Sequence, residues 1–286
     1  MFAWVSIASL LGLGLAADHF ADEHKDSEEE EGPVRVDMGP DALHYDGSDL
    51  SDRVHGNAQD NRLFGAGNDD NLFGYDGEDT LLGGEGDDQI FAGDDDDDAN
   101  GGAGDDRIFL KDGDDRSLPG ADDTADAGDD FIRGGAGQDV IIDSQGSNEL
   151  FGDLGRDVLI AVDAADEDTP DTLHGGYGAD LLVGDNGDEM TGGKGADSFV
   201  VAASAEGNGL PAMLLDFDLR EDLFSIVLLE ETEEPPVVAF AHDAQADQIV
   251  ATVNGEKVAV LHDIEAADVP FIQTFVTTLP ELMATA

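Results

Sequence analysis

The stretch from Gly65 to Phe109 reads GAGNDDNLF (65–73), GYDGEDTLL (74–82), GGEGDDQIF (83–91), AGDDDDDAN (92–100) and GGAGDDRIF (101–109). Five nine-residue units follow one another without a slip of register, so the period is nine. The template also fits GNAQDNRLF (56–64) ahead of them. It fits GGAGQDVII, DSQGSNELF and GDLGRDVLI (134–160) behind them, and returns in GGYGADLLV (175–183) and GGKGADSFV (192–200). VDMGPDALH (36–44) and GSDLSDRVH (47–55) are degenerate copies, and GDNGDEMT (184–191) is one residue short. Two acidic stretches, Pro119 to Thr124 and Ala161 to Ala165, break the phase and read as loops that bulge from a stack.

Within a unit the first six positions are rich in Gly and Asp, as a turn needing positive φ and close backbone approach would be. The last three read x-apolar-x, one short strand whose middle side chain points to a single face. Two units then close one coil, and neighbouring coils should stack about 4.8 Å apart. The expected fold is all-β, a parallel β-roll or β-solenoid. Its inward stack is read at the eighth position: Leu63, Leu72, Leu81, Ile90, Ala99, Ile108, Ile132, Ile141, Leu150, Leu159, Leu173, Leu182 and Phe199. One such side chain per nine residues is too little burial to offset the entropy of ordering the chain.

Charge sharpens the problem. Sixty-eight Asp and Glu face twelve Lys and Arg, a formal net charge of −56, and self-repulsion on that scale opposes compaction. Nucleic acid is excluded as a partner, because neutralising phosphates takes Lys and Arg clusters that are missing here. With no Cys, soft-metal sites and disulfides are ruled out. A hard divalent cation remains. In the coil arrangement Asp70, Asp88 and Asp106 line one edge and Asp79, Asp97 and Asp115 the other, at a spacing where carboxylates repel unless a cation lies between them. The Gly-rich turns add bare carbonyls, and a flexible shell of carboxylate and carbonyl oxygens suits Ca²⁺ better than Mg²⁺. The candidate ligands are therefore the sixth-position residues Asp70, Asp79, Asp88, Asp97, Asp106, Asp115, Asp130, Asp139, Asn148, Asp157, Asp171, Asp180, Asp188 and Asp197. With them come the turn glycines Gly84, Gly86, Gly102, Gly104, Gly135, Gly137, Gly176, Gly178, Gly193 and Gly195. The expected cofactor is Ca²⁺, several ions per chain, with folding and binding as one event and the metal-free chain expanded.

These units resemble the Gly-Gly-x-Gly-x-Asp-x-apolar-x nonapeptide of the RTX family. The resemblance covers the array from about residue 36 to about residue 200. It implies a β-roll that stays unfolded at the low calcium of the cytosol and folds outside the bacterial cell, where weak sites are tuned to about 0.1 to 1 mM. It also implies export by type I secretion machinery. After Val201 the composition shifts toward Val, Phe, Leu and Ala, and residues 201–286 are expected to form a β-rich cap over the open end of the solenoid. LLDFDLREDLFSI (214–226) looks like the Asp-Phe element that follows RTX repeats, and IVATV-NG-EKVAVL (249–261) reads as a hairpin with an Asn-Gly turn. The resemblance further implies an uncleaved C-terminal secretion signal in this region; a plain β-cap is the alternative.

Residues 1–35 stand apart. An apolar run, Phe2 to Leu15, lacks a basic residue ahead of it and is short for a membrane span. It reads either as a targeting segment or as an interfacial or core-packing one, followed by an acidic linker from Asp18 to Glu31.

No catalytic motif stands outside the array: His19 and Glu23-His24 do not make His-Glu-x-x-His, and Gly-x-Ser-x-Gly does not occur. His55, His174, His242 and His262 read as ordinary polar positions, and the run Asp94 to Asp98 either as a solvated loop, the favoured reading, or as an extra calcium site. Phe73, Phe91 and Phe109 at the ninth position should stack on one outer face, with Phe64 and Leu82 on the other. Such a row either supports the sheet or docks a glycan, a cell surface or the apolar N-terminal segment. The flat Thr ladder that an ice-binding solenoid would need is missing. The chain is expected to be a non-enzymatic, secreted structural or adhesive module. An enzyme or toxin that uses the roll as a secretion and folding aid is the alternative.

Overall fold

The computed structural model describes residues 35–119, 128–163, 169–203, 210–229, 236–262, 264, 267, 269, 272 and 274–278. The apolar run Phe2 to Leu15, the acidic linker, the first loop beyond Pro119, Ala164 and Ala165 of the second loop and the last residues of the chain lie outside them. The described strands form two sheets, one of thirteen strands and one of eleven, and the chain alternates between them. In the first sheet Asn71 pairs with Gln89 and Gln89 with Arg107. In the second, Arg62 pairs with Thr80 and Thr80 with Asp98. All of these pairings are parallel, and each coil consumes two nine-residue units. The protein is a parallel β-roll.

The bulges show as changes in coil length. Arg107 pairs with Phe131, and Glu149 with Thr172, so those coils carry extra residues, whereas Thr172 pairs with Glu189, one residue short of the regular step. In each case strand pairing resumes with the apolar eighth positions still facing inward. Moving a strand by one residue would turn that set outward.

The strands are longer than the sequence pattern indicates. A typical one, Asn71–Asp76, takes the last three positions of one unit and the first three of the next, so the turn is only Gly77 to Asp79. The first-position residue therefore points inward beside the eighth. All thirteen expected core residues are buried, and Ala92, Leu110, Ala161 and Val201 join them from first positions. A separate buried cluster of Ile142, Ile160, Val162, Val183 and Ala202 includes ninth-position side chains, which leave the strand on the side opposite the eighth.

Parallel pairing continues past Val201. The strand Leu223–Leu228 pairs with Ser198–Ala203, and Thr274–Thr278 pairs with Leu223–Leu228. The first sheet closes differently, with Glu256–Leu261 lying parallel to Ala212–Leu214 and starting an antiparallel run through Gln248–Val253 to Val238–Asp243. Asn254 (φ 53°) and Gly255 (φ 92°) form the two-residue turn of the expected hairpin. In the Asp-Phe element, the Asp216 carboxylate accepts the amides of Gly192 and Gly193, both at 2.8 Å. Phe217 packs edge-on between Phe199 and Phe224. These contacts join the residues after Val201 to the last coil.

Candidate metal centre

The sixth-position residues form two ladders, one on each edge of the roll. Before the strands of the first sheet stand Asp52, Asp70, Asp88, Asp106, Asp130, Asn148, Asp171 and Asp188. In each case the backbone amide donates to the Oδ1 of the next residue in the row, at 2.6–3.0 Å. Before the strands of the second sheet the row is Asn61, Asp79, Asp97, Asp115, Asp139, Asp157, Asp180, Asp197 and Asp222, linked in the same way at 2.7–3.0 Å. Every expected Asp and Asn is thus in a row, and Asp70, Asp88 and Asp106 share one edge while Asp79, Asp97 and Asp115 share the other, as expected. Those from Asp52 to Asp197 are no more than 5% exposed.

One oxygen of each carboxylate beyond Asp52 is spent on this ladder. The other is buried without a hydrogen-bond partner at Asp70, Asp79, Asp88, Asp97, Asp115, Asp139, Asp157, Asp171 and Asp180. A buried carboxylate oxygen left bare is costly, so the interior of each row calls for a cation. Protein donors close the ends instead. Asp52 Oδ2 accepts from Ser48 N (3.0 Å), Ser48 Oγ (3.2 Å) and Tyr45 OH (3.3 Å); Asn61 Oδ1 accepts from Asn57 N; Asp222 Oδ2 accepts from Asp218 N. Asn148 differs too, since its Nδ2 donates to the Gln145 carbonyl at 3.2 Å.

First-position glycines complete the cradle. A Cβ on Gly65 would overlap Asp70 Oδ2 and the Gly83 carbonyl oxygen, and one on Gly83 would overlap Asp88 Oδ2 and the Gly101 carbonyl oxygen. Gly74, Gly134, Gly152 and Gly175 repeat the arrangement at Asp79, Asp139, Asp157 and Asp180. The bare side of each glycine therefore leaves room where a carboxylate and a carbonyl oxygen meet. The second- and fourth-position glycines singled out from the sequence share a backbone conformation. Gly84, Gly86, Gly102, Gly104, Gly135, Gly137, Gly176, Gly178, Gly193 and Gly195 all have φ between 96° and 151°, which glycine adopts readily. Sequence reasoning passed over the first-position glycines. Their signal was present, because Gly recurs where an inward-facing strand residue should be apolar.

Burial pushes these carboxyls up from the usual carboxylate range. Asp70 and Asp115 rise to about 6, Asp79, Asp88 and Asp157 to about 7, Asp97 and Asp139 to about 8 and Asp171 to about 9; repulsion from neighbouring Asp residues adds to the effect. The oxygens that lack a partner are thus poised to take up a proton or a metal ion.

Asp94 to Asp98 is a regular turn of the array in which Asp97 joins the buried row while Asp95 and Asp96 stay exposed. Fifth-position acids make a further, exposed ladder, as where Asp87 N donates to Asp69 Oδ1 and Asp105 N to Asp87 Oδ1, both at 3.1 Å. Among the described residues no three acidic or histidine side chains converge on one point, so an ion here must draw on backbone carbonyls as well.

The outer aromatic row is longer than expected. His55, Phe73, Phe91, Phe109, Phe131, Phe151 and His174 follow one another with ring centroids 4.6–5.6 Å apart. Through Phe109 the planes lie within 7° of parallel, so each ring's faces are covered by its neighbours. A sugar ring would need an open face, and the stack presents edges. His242 meets Asp247 and His262 meets Gln248, so neither gathers with a metal-ligating group beyond that one acid.

A model of the RTX calcium-binding nonapeptide repeat matches four times, at residues 46–81, 82–116, 124–159 and 167–199. The chain belongs to the RTX calcium-binding repeat family. Its β-roll is a calcium-binding module, and the paired RTX units are the coils described above. No curated protein matches it. Among solved structures, it is similar to the X-ray crystal structure of a hyperactive, Ca²⁺-dependent, β-helical antifreeze protein from an Antarctic bacterium. Identity is 16%, covering 76% of this chain and 84% of that one, with a TM-score of 0.37.

Proposed function

We propose that this protein is a secreted, non-catalytic β-roll that folds when it meets extracellular calcium and serves as a structural or adhesive module at the cell surface or in the matrix. The observation that carries the reading is the second carboxylate oxygen of Asp70, Asp79, Asp88, Asp97, Asp115, Asp139, Asp157, Asp171 and Asp180, buried in the two rows without a partner. Ca²⁺ would be held there by the sixth-position Asp residues and by first-position carbonyls such as those of Gly83 and Gly101. The ion supplies the positive charge that the chain lacks and converts the repulsion within each row into a bridge between coils. Calcium sites of this weak, repeated kind fill at extracellular and not at cytosolic concentrations, which supports export in an unfolded state through type I machinery.

A non-catalytic role is supported by how the described residues are spent, on the roll and on a cap that continues its sheets. An adhesive role is supported by the exposed carboxylate rows, which extend the acidic edges outward.

Circular dichroism during a calcium titration of the metal-stripped chain tests the reading. The β signal should be small at first, rise cooperatively near millimolar calcium and rise much less with magnesium. A compact β-rich chain in the absence of metal would overturn it. Calcium-dependent turnover of proteins, esters or acidic polysaccharides would overturn the non-catalytic part alone.

A further inference from the structure

Seven strands of the first sheet, from Asn71–Asp76 to Glu189–Lys194, are paired in register, so the residues that open them form one column and the residues five places on form another. The first column carries Gln89, Arg107, Phe131 and Glu189. The second answers it, strand by strand, with Asp94, Asp112, Ala136 and Lys194. In none of the seven strands do the two ends carry like charge. The ends of one strand are about 16 Å apart, so Arg107 and Asp112 cannot meet within one molecule, nor can Glu189 and Lys194. None of the ion pairs among the described residues includes Arg107 or Lys194, and both are exposed.

The aromatic row runs between the columns on the outer face of this sheet. Around it Tyr75 (47% exposed), Leu154 (52%) and Tyr177 (54%) leave large apolar side chains in solvent. An apolar centre with a polar rim is the anatomy of a protein interface. Seven strands of six residues cover roughly 650 Å² on each copy, and two such faces reach the about 1,200–2,000 Å² total of a specific contact.

We propose that two calcium-loaded copies of this chain pack through this face, related by a two-fold axis parallel to the roll. Turning one copy about that axis reverses its strands and keeps its coils level. Arg107 then meets Asp112 of the second copy, Glu189 meets Lys194, Gln89 meets Asp94 and Phe131 meets Ala136, and by symmetry each contact occurs twice. The aromatic rows lie side by side at the centre and supply the affinity, while the charged ends set the register. A polyanion would meet Asp94 and Asp112, and a polycation would meet Arg107. A second copy offers both signs at matching spacing. Each copy is strongly acidic, and calcium in the edge rows lowers the charge that would hold two copies apart, so the inference rests on the calcium reading of the edges.

Sedimentation equilibrium of the full chain in saturating calcium tests it, at rising chain concentration and beside the dichroism. Wild type should approach twice the 29.9 kDa of one chain. Arg107→Asp and Asp112→Arg should each weaken the dimer at least tenfold with the dichroism unchanged, and the chain carrying both should recover it. Leu223→Glu, which changes an exposed apolar residue on the other sheet (58% exposed), should leave the dimer as it is. If a charge reversal lowers the dichroism, Arg107→Gln and Asp112→Asn replace it and must weaken the dimer in the same direction, or the inference falls. A wild-type chain that does not fold with calcium sinks the edge reading itself. A folded, calcium-loaded wild type that stays monomeric at its highest soluble concentration overturns this inference alone, as does a dimer that the single reversals leave intact or that the double exchange does not restore.

Discussion

The backbone amide of Asp70 donates to Asp88 Oδ1 at 2.6 Å, across one full coil, while Asp88 Oδ2 is buried without a partner. Asp88 thus has a structural oxygen and an oxygen reserved for something that the chain does not supply. The two can be separated by substitution.

Asp97→Asn should keep the amide bond from Asp79 and remove one charge. We expect the calcium midpoint to rise several-fold, with the saturated fold intact. Asp97→Ala leaves the Asp79 amide bare as well, at about 1–3 kcal/mol. Chemical denaturation in saturating calcium should rank wild type above Asp97→Asn and Asp97→Ala last.

The raised carboxyls set the pH response. An Asp titrates near 3.9 in the unfolded chain, but Asp70, Asp79, Asp97 and Asp171 titrate at about 6, 7, 8 and 9 in the metal-free roll. Their folded-state values lie above the unfolded one. The protonated roll is therefore favoured below about pH 4, and that stability is lost as pH climbs through 6 to 9. A metal-stripped sample should gain β signal on acidification from pH 8 to pH 5. Over the same range the calcium midpoint should rise, because protons compete for the same oxygens. A pH-independent midpoint would count against the rows as the binding sites.

Second positions demand a left-handed backbone, and some units meet it with a non-glycine. Ala66 has φ 86° and Gly84, its neighbour in the next coil, has φ 122°. Ala66→Gly should relieve strain and stabilise the roll by up to about 1 kcal/mol, after the extra entropy of Gly in the unfolded chain. Gly84→Ala should cost about 2 kcal/mol, since its Cβ would overlap the Ala66 carbonyl oxygen as well. Thermal melts in saturating calcium give both signs.

Phe91 lies between Phe73 at 5.0 Å and Phe109 at 5.1 Å. Phe91→Leu removes two stacked pairs and should cost about 1–3 kcal/mol. The number of ions bound should not change, because the stack lies on a sheet face and the ladders on the edges. Calcium dialysis beside a thermal melt separates the two.

Much of this was legible in the residues from Gly65 to Phe109. A period of nine with one apolar side chain in the eighth place fixes two units to a coil, and so decides which Asp stands above which. Asp88 is placed over Asp70 by counting alone. The Asn254-Gly255 turn was legible for a similar reason, since its left-handed backbone suits few other pairs. Local chemistry and period are properties of the chain, and the charge imbalance that calls for a cation is simple arithmetic.

Other features needed the coils to be stacked. Gly83 could be read as turn or strand until its strand was seen to run on to Glu85, which puts its bare side against the Asp88 carboxylate. The division of the Asp88 carboxylate into one bonded and one bare oxygen depends on an amide a whole coil away. The links from the Asp163 amide to Asp185 Oδ2 and from the Asp185 amide to Asp188 Oδ2 depend on where an insertion and a shortened unit fall on adjacent coils. Period determined the roll from sequence alone; which oxygens are satisfied was decided only by contacts between residues distant along the chain, where burial removes the water that would otherwise hide the difference.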